Sequence, residues 1–286
     1  MVLTERFTLS NGVQIPKVGL GTWFIKDKDA SGVVKNAVSL GYRLIDTASA
    51  YENESGVGIG VKESAIPREE IFVTSKIAAE VKSYDDAQKA IETALKLMGL
   101  DYLDMMLVHS PQPWMKWRSK KERYFDENKA VWKALEEAYA TGKIKAIGVS
   151  NFLTDDLENL LSSCEVKPMV NQILNHIGNT PLDLMRFCHE NGILVQSYSP
   201  IAHGRALKDN EIIAMAQKYG VSVSGLCIKF VIQQGTVALP KATSTEHLKD
   251  NIALDFEIAA DDMRLLEQVK FKGYGMSKMF PVFSGK

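Results

Sequence analysis

The chain has little cysteine and no metal-ligand spacing. Cys164, Cys188 and Cys227 are odd in number, far apart and without a C-x-x-C pair, which argues against a disulfide framework and a thiolate metal centre. Each reads as a small, partly buried hydrophobe, and no metal is expected. A basic excess is missing too. Against 34 Lys and Arg stand 35 Asp and Glu, so nothing marks a nucleic-acid surface. The basic stretch 116–123 contains Glu122 and reads as a solvated loop. No apolar run is long enough to span a bilayer, and the first six residues contain no apolar targeting core. A reducing cytoplasm without membrane contact is the expectation. Linkers and low-complexity tracts are lacking across the 286 residues, a length suited to one barrel domain of about 250 residues.

What is present is an alternation. Eight short apolar segments, at 18–21, 44–46, 71–75, 105–108, 146–149, 169–171, 194–198 and 237–239, are separated by helix-patterned stretches. Continuous apolar runs suit parallel strands covered on both faces. The pattern predicts an α/β fold, a single (β/α)8 TIM barrel over residues 1–286, although alternation alone also allows a doubly wound open sheet. Against the open sheet, Gly19-Leu20-Gly21-Thr22-Trp23-Phe24 has Phe24 where the third glycine of a dinucleotide fingerprint belongs. Ahead of the barrel, Asn11-Gly12 lies between two apolar runs and predicts an N-terminal β-hairpin, since both residues tolerate positive φ. That hairpin is expected to plug one end of the barrel. Gly99 and Gly142 follow two amphipathic runs and suit the left-handed position that ends a helix.

Asp46, Tyr51, Lys76 and His109 fall at or just past the C-terminal ends of three of these segments. In a parallel barrel those ends open on one face, where its chemistry is placed. A free phenol titrates near pH 10 and is a weak acid at neutrality. A neighbouring lysine ammonium is expected to lower it and ease proton donation to a developing alkoxide. Asp46 would hold Lys76 charged and in place, and His109 would hydrogen-bond the substrate oxygen or relay the proton. Singly, each residue has a plainer reading as packing or solvated charge. Together they point to proton transfer to a carbonyl oxygen. A Schiff-base lyase built on Lys76 competes, but Asp46 would raise the lysine pKa, the wrong direction for an amine nucleophile.

Several motifs carry a resemblance. Gly41-Tyr42-Arg43-Leu44-Ile45-Asp46-Thr47-Ala48 precedes Tyr51-Glu52-Asn53-Glu54 and Gly58. Thr74-Ser75-Lys76, Asp101-Tyr102-Leu103-Asp104 with Leu107-Val108-His109, and Gly148-Val149-Ser150-Asn151-Phe152 follow. Asn171-Gln172, Gln196-Ser197-Tyr198-Ser199-Pro200 and Leu239-Pro240-Lys241 complete the series. In this order, over nearly the whole chain, they resemble the aldo-keto reductases. The resemblance implies a barrel enzyme that reduces a small-molecule carbonyl with NADPH, or with NADH; separately, a monomer is the expectation. It makes Asp46, Tyr51, Lys76 and His109 the catalytic tetrad, with Tyr51 as general acid. Ser150, Asn151 and Gln172 would bind the nicotinamide carboxamide and Tyr198 would stack on the ring. Gly21, Thr22, Asp46, Ser199 and Pro200 would also contact the cofactor. Trp23 and Trp114 would line the substrate pocket beside Tyr51 and His109.

At the other end of the cofactor the chain departs from the family pattern. Lys241 is in place, but Ala242 offers no hydroxyl and His247 stands where an arginine is usual. Arginine presents a two-pronged fork to a 2′-phosphate that histidine lacks. With Thr243 and Ser244 compensating, NADPH is expected to keep its preference by a narrower, pH-sensitive margin. Asp250 and Asn251 match adenine contacts. Leu174 replaces a common glutamate outside the tetrad. His176 reads as structural, His189 as charge at a helix C-terminus, and His203 either as a plain loop residue or as a neighbour of the pyrophosphate. Trp117 and residues 279–281 are candidates for an apolar wall, and the short tail after Phe271 predicts an open pocket suited to small aldehydes, dicarbonyls and keto-sugars. The alternative from another class is a non-catalytic NADP-binding barrel, because a fold alone proves no activity.

Overall fold

A computed structural model describes residues 2–271 and 273–285. Strands β1 (Arg6–Thr8) and β2 (Gln14–Pro16) form the expected antiparallel hairpin, with Phe7 opposite Ile15. Its turn differs from the expectation. Only Gly12 takes positive φ, +86°, and the backbone closes through Gly12 N–H to Leu9 O at 2.8 Å and Leu9 N–H to Val13 O at 2.9 Å. This is a three-residue turn with glycine in its left-handed position. Asn11 contributes through its side chain instead, accepting from Val13 N and donating to Lys145 O at 3.0 Å.

The remaining strands are β3 (Leu20–Gly21), β4 (Leu44–Asp46), β5 (Phe72–Ile77), β6 (Met105–Val108), β7 (Ile147–Ser150), β8 (Val170–Leu174), β9 (Leu194–Tyr198) and β10 (Val237–Leu239). Each pairs in parallel with the next. The circle closes where Gly19 N–H reaches Ala238 O and Gly21 N–H reaches Pro240 O, both at 2.9 Å. Helices α1 (Asp27–Ser39), α2 (Glu54–Lys62), α3 (Tyr84–Met98), α4 (Phe125–Ala140), α5 (Thr154–Leu161) and α6 (Leu182–Glu190) fill the first six crossovers. Helices α7 (Asn210–Tyr219) and α8 (Val223–Gln233) share the seventh, and α9 (Thr245–Asp250) and α10 (Ala260–Gln268) follow β10. The (β/α)8 barrel is therefore the observed fold.

Local sequence accounts for these elements. Helix α3 starts where Ser83 Oγ accepts from Asp86 N–H, an N-cap that satisfies an orphan donor. Ala87, Ile91, Ala94, Leu95 and Met98 form its buried stripe, and Gly99 at φ +61° ends it. Gly142, at φ +76°, likewise follows α4. On α2, a Cβ at Gly58 would lie 2.1 Å from the Met98 carbonyl oxygen, so a side chain there would collide with the end of α3.

Four strand boundaries differ from those read in the sequence. Strand β3 is shorter, with Val18 only bridging Ala238, while β5, β7 and β8 continue past the point where hydropathy falls. The backbone keeps pairing there, Lys76 with Leu107, Ser150 with Gln172 and Leu174 with Tyr198. Polar residues that looked like strand ends are thus held within the sheet. The hairpin covers the N-terminal strand ends, where Arg6, Val13 and Gln14 face Arg43, Phe72, Asp104 and Lys145 across a cleft. Among the described residues, no helix is long and apolar enough to cross a membrane.

Candidate active site

At the opposite end, Asp46 closes β4 and Lys76 stands on its neighbour β5. Lys76 Nζ lies 2.6 Å from Asp46 Oδ1, 2.7 Å from Thr47 O and 3.4 Å from Tyr51 Oη. The lysine is 1% and the aspartate 3% exposed, so this is a buried ion pair whose charges need the hydrogen bonds they make. Tyr51 ends a short turn, Ser49–Tyr51, which Ser49 Oγ fastens to Lys76 O at 3.0 Å. The ring of His109 meets that of Tyr51 edge-on at 5.6 Å and that of Trp114 edge-on at 5.1 Å.

Electrostatics at the phenol run against one expectation. Burial pushes the Tyr51 phenol well above its ordinary value, and the Asp46 charge adds to the rise. Lys76 does not make it a stronger acid here, because its partner carboxylate offsets its field and desolvation dominates. The Lys76 ammonium is itself pulled down by burial, with Asp46 opposing. Burial, followed by the Lys76 charge, holds His109 well below the usual imidazole range, so it is a neutral hydrogen-bonding group at neutral pH.

Asn53 ties this cluster to the neighbouring loop. It is fully buried. Its Oδ1 accepts from Thr47 Oγ1 at 2.6 Å, and its Nδ2 donates to Thr22 O at 2.9 Å and Ile25 O at 2.8 Å. The segment carrying Trp23 is thereby fastened to the one carrying Tyr51.

A cavity of about 800 Å³ opens over these groups. Of the residues singled out in the sequence, Gly21, Thr22, Trp23, Asp46, Tyr51, His109, Trp114, Ser150, Asn151, Gln172, Tyr198, Ser199, Pro200 and Lys241 line it. Its polar wall is already connected. Ser150 Oγ donates to Gln172 O at 2.9 Å, Asn151 Nδ2 donates to Ser150 Oγ and His109 O, and Tyr198 Oη donates to Asn151 Oδ1 at 2.7 Å. Gln172 Nε2 donates to both Asp46 Oδ2 and Gln196 Oε1, which leaves Oε1 of Gln172 as a free acceptor on the cavity wall.

Other residues singled out in the sequence lie beyond the cavity. Ala242 and Asn251 are buried, Thr243 and His247 are exposed, and Asp250 accepts from Ser222 Oγ at 2.9 Å. Ser244 Oγ caps α9 by accepting from His247 N–H. His176 is a structural histidine, placed between Ile177 O at 2.7 Å and Tyr274 Oη at 3.0 Å. Among the described residues, no group of three or more His, Cys, Asp or Glu is arranged to hold a metal ion.

The tail closes more of the mouth than its length suggested. Phe280, Pro281 and Val282 line the cavity, with Phe280 edge-on to Trp23 at 5.2 Å and Phe283 buried below. Met279 points outward, 76% exposed, and Trp117 stands behind Trp114 at 5.6 Å, outside the cavity. His203 joins the wall between Trp23 and Phe283. Phe24, Ala50, Ile201 and Val282 were missed by the sequence reading, and no local signal marks them.

Comparison with known proteins identifies the family. Residues 17–270 match the model of the Aldo/keto reductase family. A glyoxal reductase of Bacillus subtilis is 41% identical over 264 residues, 91% of either chain. The crystal structure of an aldo/keto reductase from Brucella melitensis superposes with a TM-score of 0.87 at 33% identity, covering 94% of this chain and 98% of that one. A Bombyx mori aldo-keto reductase in complex with NADP gives 0.82 at 30% identity, covering 92% of each. With its barrel, its buried lysine–aspartate pair and a family match over most of its length, this chain belongs to the aldo/keto reductases, a family of oxidoreductases.

Proposed function

We propose that this single-domain protein reduces small aldehydes, ketones and dicarbonyls to alcohols with NADPH, with Tyr51 as the general acid. The observation that carries the reading is the placement of Tyr51 Oη. It lies 3.4 Å from Lys76 Nζ, beside His109, at the cavity wall. The likeness to a glyoxal reductase supports a dicarbonyl substrate, and the NADP-bound relative supports the cofactor.

The residues present fit such a cofactor. The open Gln172 Oε1 suits a carboxamide NH₂, Ser150 and Asn151 lie beside it, Tyr198 offers a ring face, and Lys241 stands at the mouth. The segment from Ala242 to Asn251 would take the adenosine end, with Thr243 and His247 exposed toward solvent. NADPH, when bound, supplies the hydride that the carbonyl carbon receives. His109, neutral and buried, orients the carbonyl oxygen. Tyr51 gives that oxygen its proton, and the phenolate left behind is stabilised by Lys76 Nζ until solvent returns a proton. The apolar walls of Trp23, Trp114 and Phe280 exclude water from the reacting carbonyl. The enzyme would work as a monomer in the cytoplasm.

The test follows nicotinamide absorbance with methylglyoxal and benzaldehyde, using NADPH and NADH in parallel. Carbonyl-dependent oxidation, faster with NADPH, is the expected result. No oxidation in protein shown to bind NADPH would leave a binding barrel, and faster turnover with NADH would reverse the cofactor assignment.

A further inference from the structure

Lys82 lies outside the cavity, in the loop between β5 and α3. Its Nζ donates to Ser110 O at 3.1 Å and to Asn128 Oδ1 at 2.9 Å. Asn128, 2% exposed, passes the connection on by donating from Nδ2 to Pro111 O at 2.9 Å. From the same loop, Glu80 Oε1 accepts from Trp114 N–H at 3.3 Å. These contacts hold the chain on both sides of Gln112, between His109 and Trp114, whose rings meet edge-on in the cavity wall. Beyond one short turn, Trp114–Lys116, no regular element holds that segment before α4.

We propose that Lys82 is a positioning residue for the carbonyl substrate, holding the segment that carries His109 and Trp114 into the cavity wall. The proposal rests on the reductase reading above. Its link to the cofactor side is indirect: Lys82 bonds none of Ser150, Asn151, Gln172 and Tyr198, and Asn151 joins the segment through His109 O.

The lysine works as a cation in a poorly solvated place. Burial draws its pKa down to about 8, although Glu80 on its own loop, Glu127 on α4 and Asp156 on α5 all pull upward. Asp156 is partly spent on Arg123, 2.7 Å away, and the Tyr124 ring lies 5.9 Å from Nζ. Above that pH the charge-assisted bonds become ordinary amine bonds, roughly half as strong.

The test compares wild type with Lys82→Met and Lys82→Arg, using methylglyoxal and benzaldehyde, and reads NADPH affinity by fluorescence quenching. Lys82→Met should raise KM for the carbonyls about tenfold, the worth of one or two hydrogen bonds, with kcat and NADPH affinity within about twofold. Wild-type KM should climb about threefold as pH passes through 8, and the permanently charged Lys82→Arg should stay flat. An unchanged KM in folded Lys82→Met or a parallel loss of NADPH affinity would overturn the assignment. If Lys82→Met does not fold, Lys82→Gln, too short to reach Ser110 O and Asn128 Oδ1 together, is read in the same way. If NADPH-bound wild type turns over no carbonyl, the reductase reading fails separately. The Trp114 resonance of fluorotryptophan-labelled protein then decides: a shift in Lys82→Met that Lys82→Arg restores supports the positioning role, and a resonance unmoved in Lys82→Met overturns it.

Discussion

Gln172 Nε2 donates to Asp46 Oδ2 at 2.8 Å, while the other oxygen of that carboxylate binds Lys76 Nζ. One hydrogen-bonded path therefore runs from the free Gln172 Oε1 on the cavity wall to the Tyr51 hydroxyl. Replacing Gln172 by Leu removes a bond to a charged group, worth about 1.5–3 kcal/mol. The expected result is a fall in kcat of roughly 10- to 100-fold together with weaker NADPH binding. Steady-state rates and cofactor titration would check it. Loss of cofactor affinity alone would mean that Lys76 suffices to hold Asp46.

Tyr51→Phe removes the proposed proton donor and leaves the ring. Carbonyl reduction should fall by about 10²- to 10⁴-fold, the usual contribution of a general acid. NADPH affinity should stay within about twofold of wild type, since the hydroxyl is not among the cofactor's proposed contacts. Single-turnover absorbance and fluorescence titration separate the two effects.

Asp46 raises the Tyr51 phenol and supports the Lys76 ammonium. In Asp46→Asn the phenol should titrate at lower pH than in wild type, although burial still holds it high. The difference ultraviolet spectrum between Asp46→Asn and the double variant with Tyr51→Phe isolates this one phenol. A titration unmoved or shifted upward would show that Asp46 does not govern it.

His176 gives a stability prediction with a definite sign. Burial lowers its pKa from 6.5 to about 4, so below the unfolded value the unfolded chain binds the extra proton. Its contribution is complete above pH 6.5 and is lost progressively as pH falls toward 4. His109, depressed in the same direction, adds to the effect. Between pH 6.5 and pH 5, His176 alone should cost about 2 kcal/mol of unfolding free energy. Urea unfolding of wild type and His176→Gln at both values tests this, the variant being expected to show a smaller drop.

Gly58→Ala should destabilise the fold by about 1–3 kcal/mol, the common cost of overpacking. Its Cβ would press on the backbone of Met98, which cannot rotate away as a side chain would. A lowered Tm with unchanged KM would place the effect in the packing of α2 against α3.

Much of this was legible in the chain itself. Strand-sized apolar segments announced a parallel α/β fold, Phe24 in place of a third glycine turned the reading toward the barrel, and the positions of Asp46, Lys76 and His109 relative to those segments placed them at one end. Other features depend on what meets in space. The direction of the Tyr51 shift follows from the balance of burial and two opposed charges, which no local pattern records. Val282 entered the cavity wall because the tail folds back over the mouth, and Phe24 because its backbone turns to φ +63°. Nothing in the sequence around Lys82 marks it, because what distinguishes it is Asn128, 46 positions away, which binds it. Asn11-Gly12 marked the hairpin correctly, but the turn type depended on the register that Leu9 and Val13 adopt.

The fully buried Asn53 has a consequence for anyone wishing to retailor the cavity. Its three hydrogen bonds join the loop after β3 to the loop after β4, so neither can be transplanted from another barrel by itself. A graft that reshapes the surroundings of Trp23 while misplacing the carbonyls of Thr22 and Ile25 would strand a buried amide and shift the support of Tyr51. The surroundings of Trp23 and the support of Tyr51 are mechanically one module here, and libraries that vary them should carry both loops, with Asn53 retained, as a single cassette.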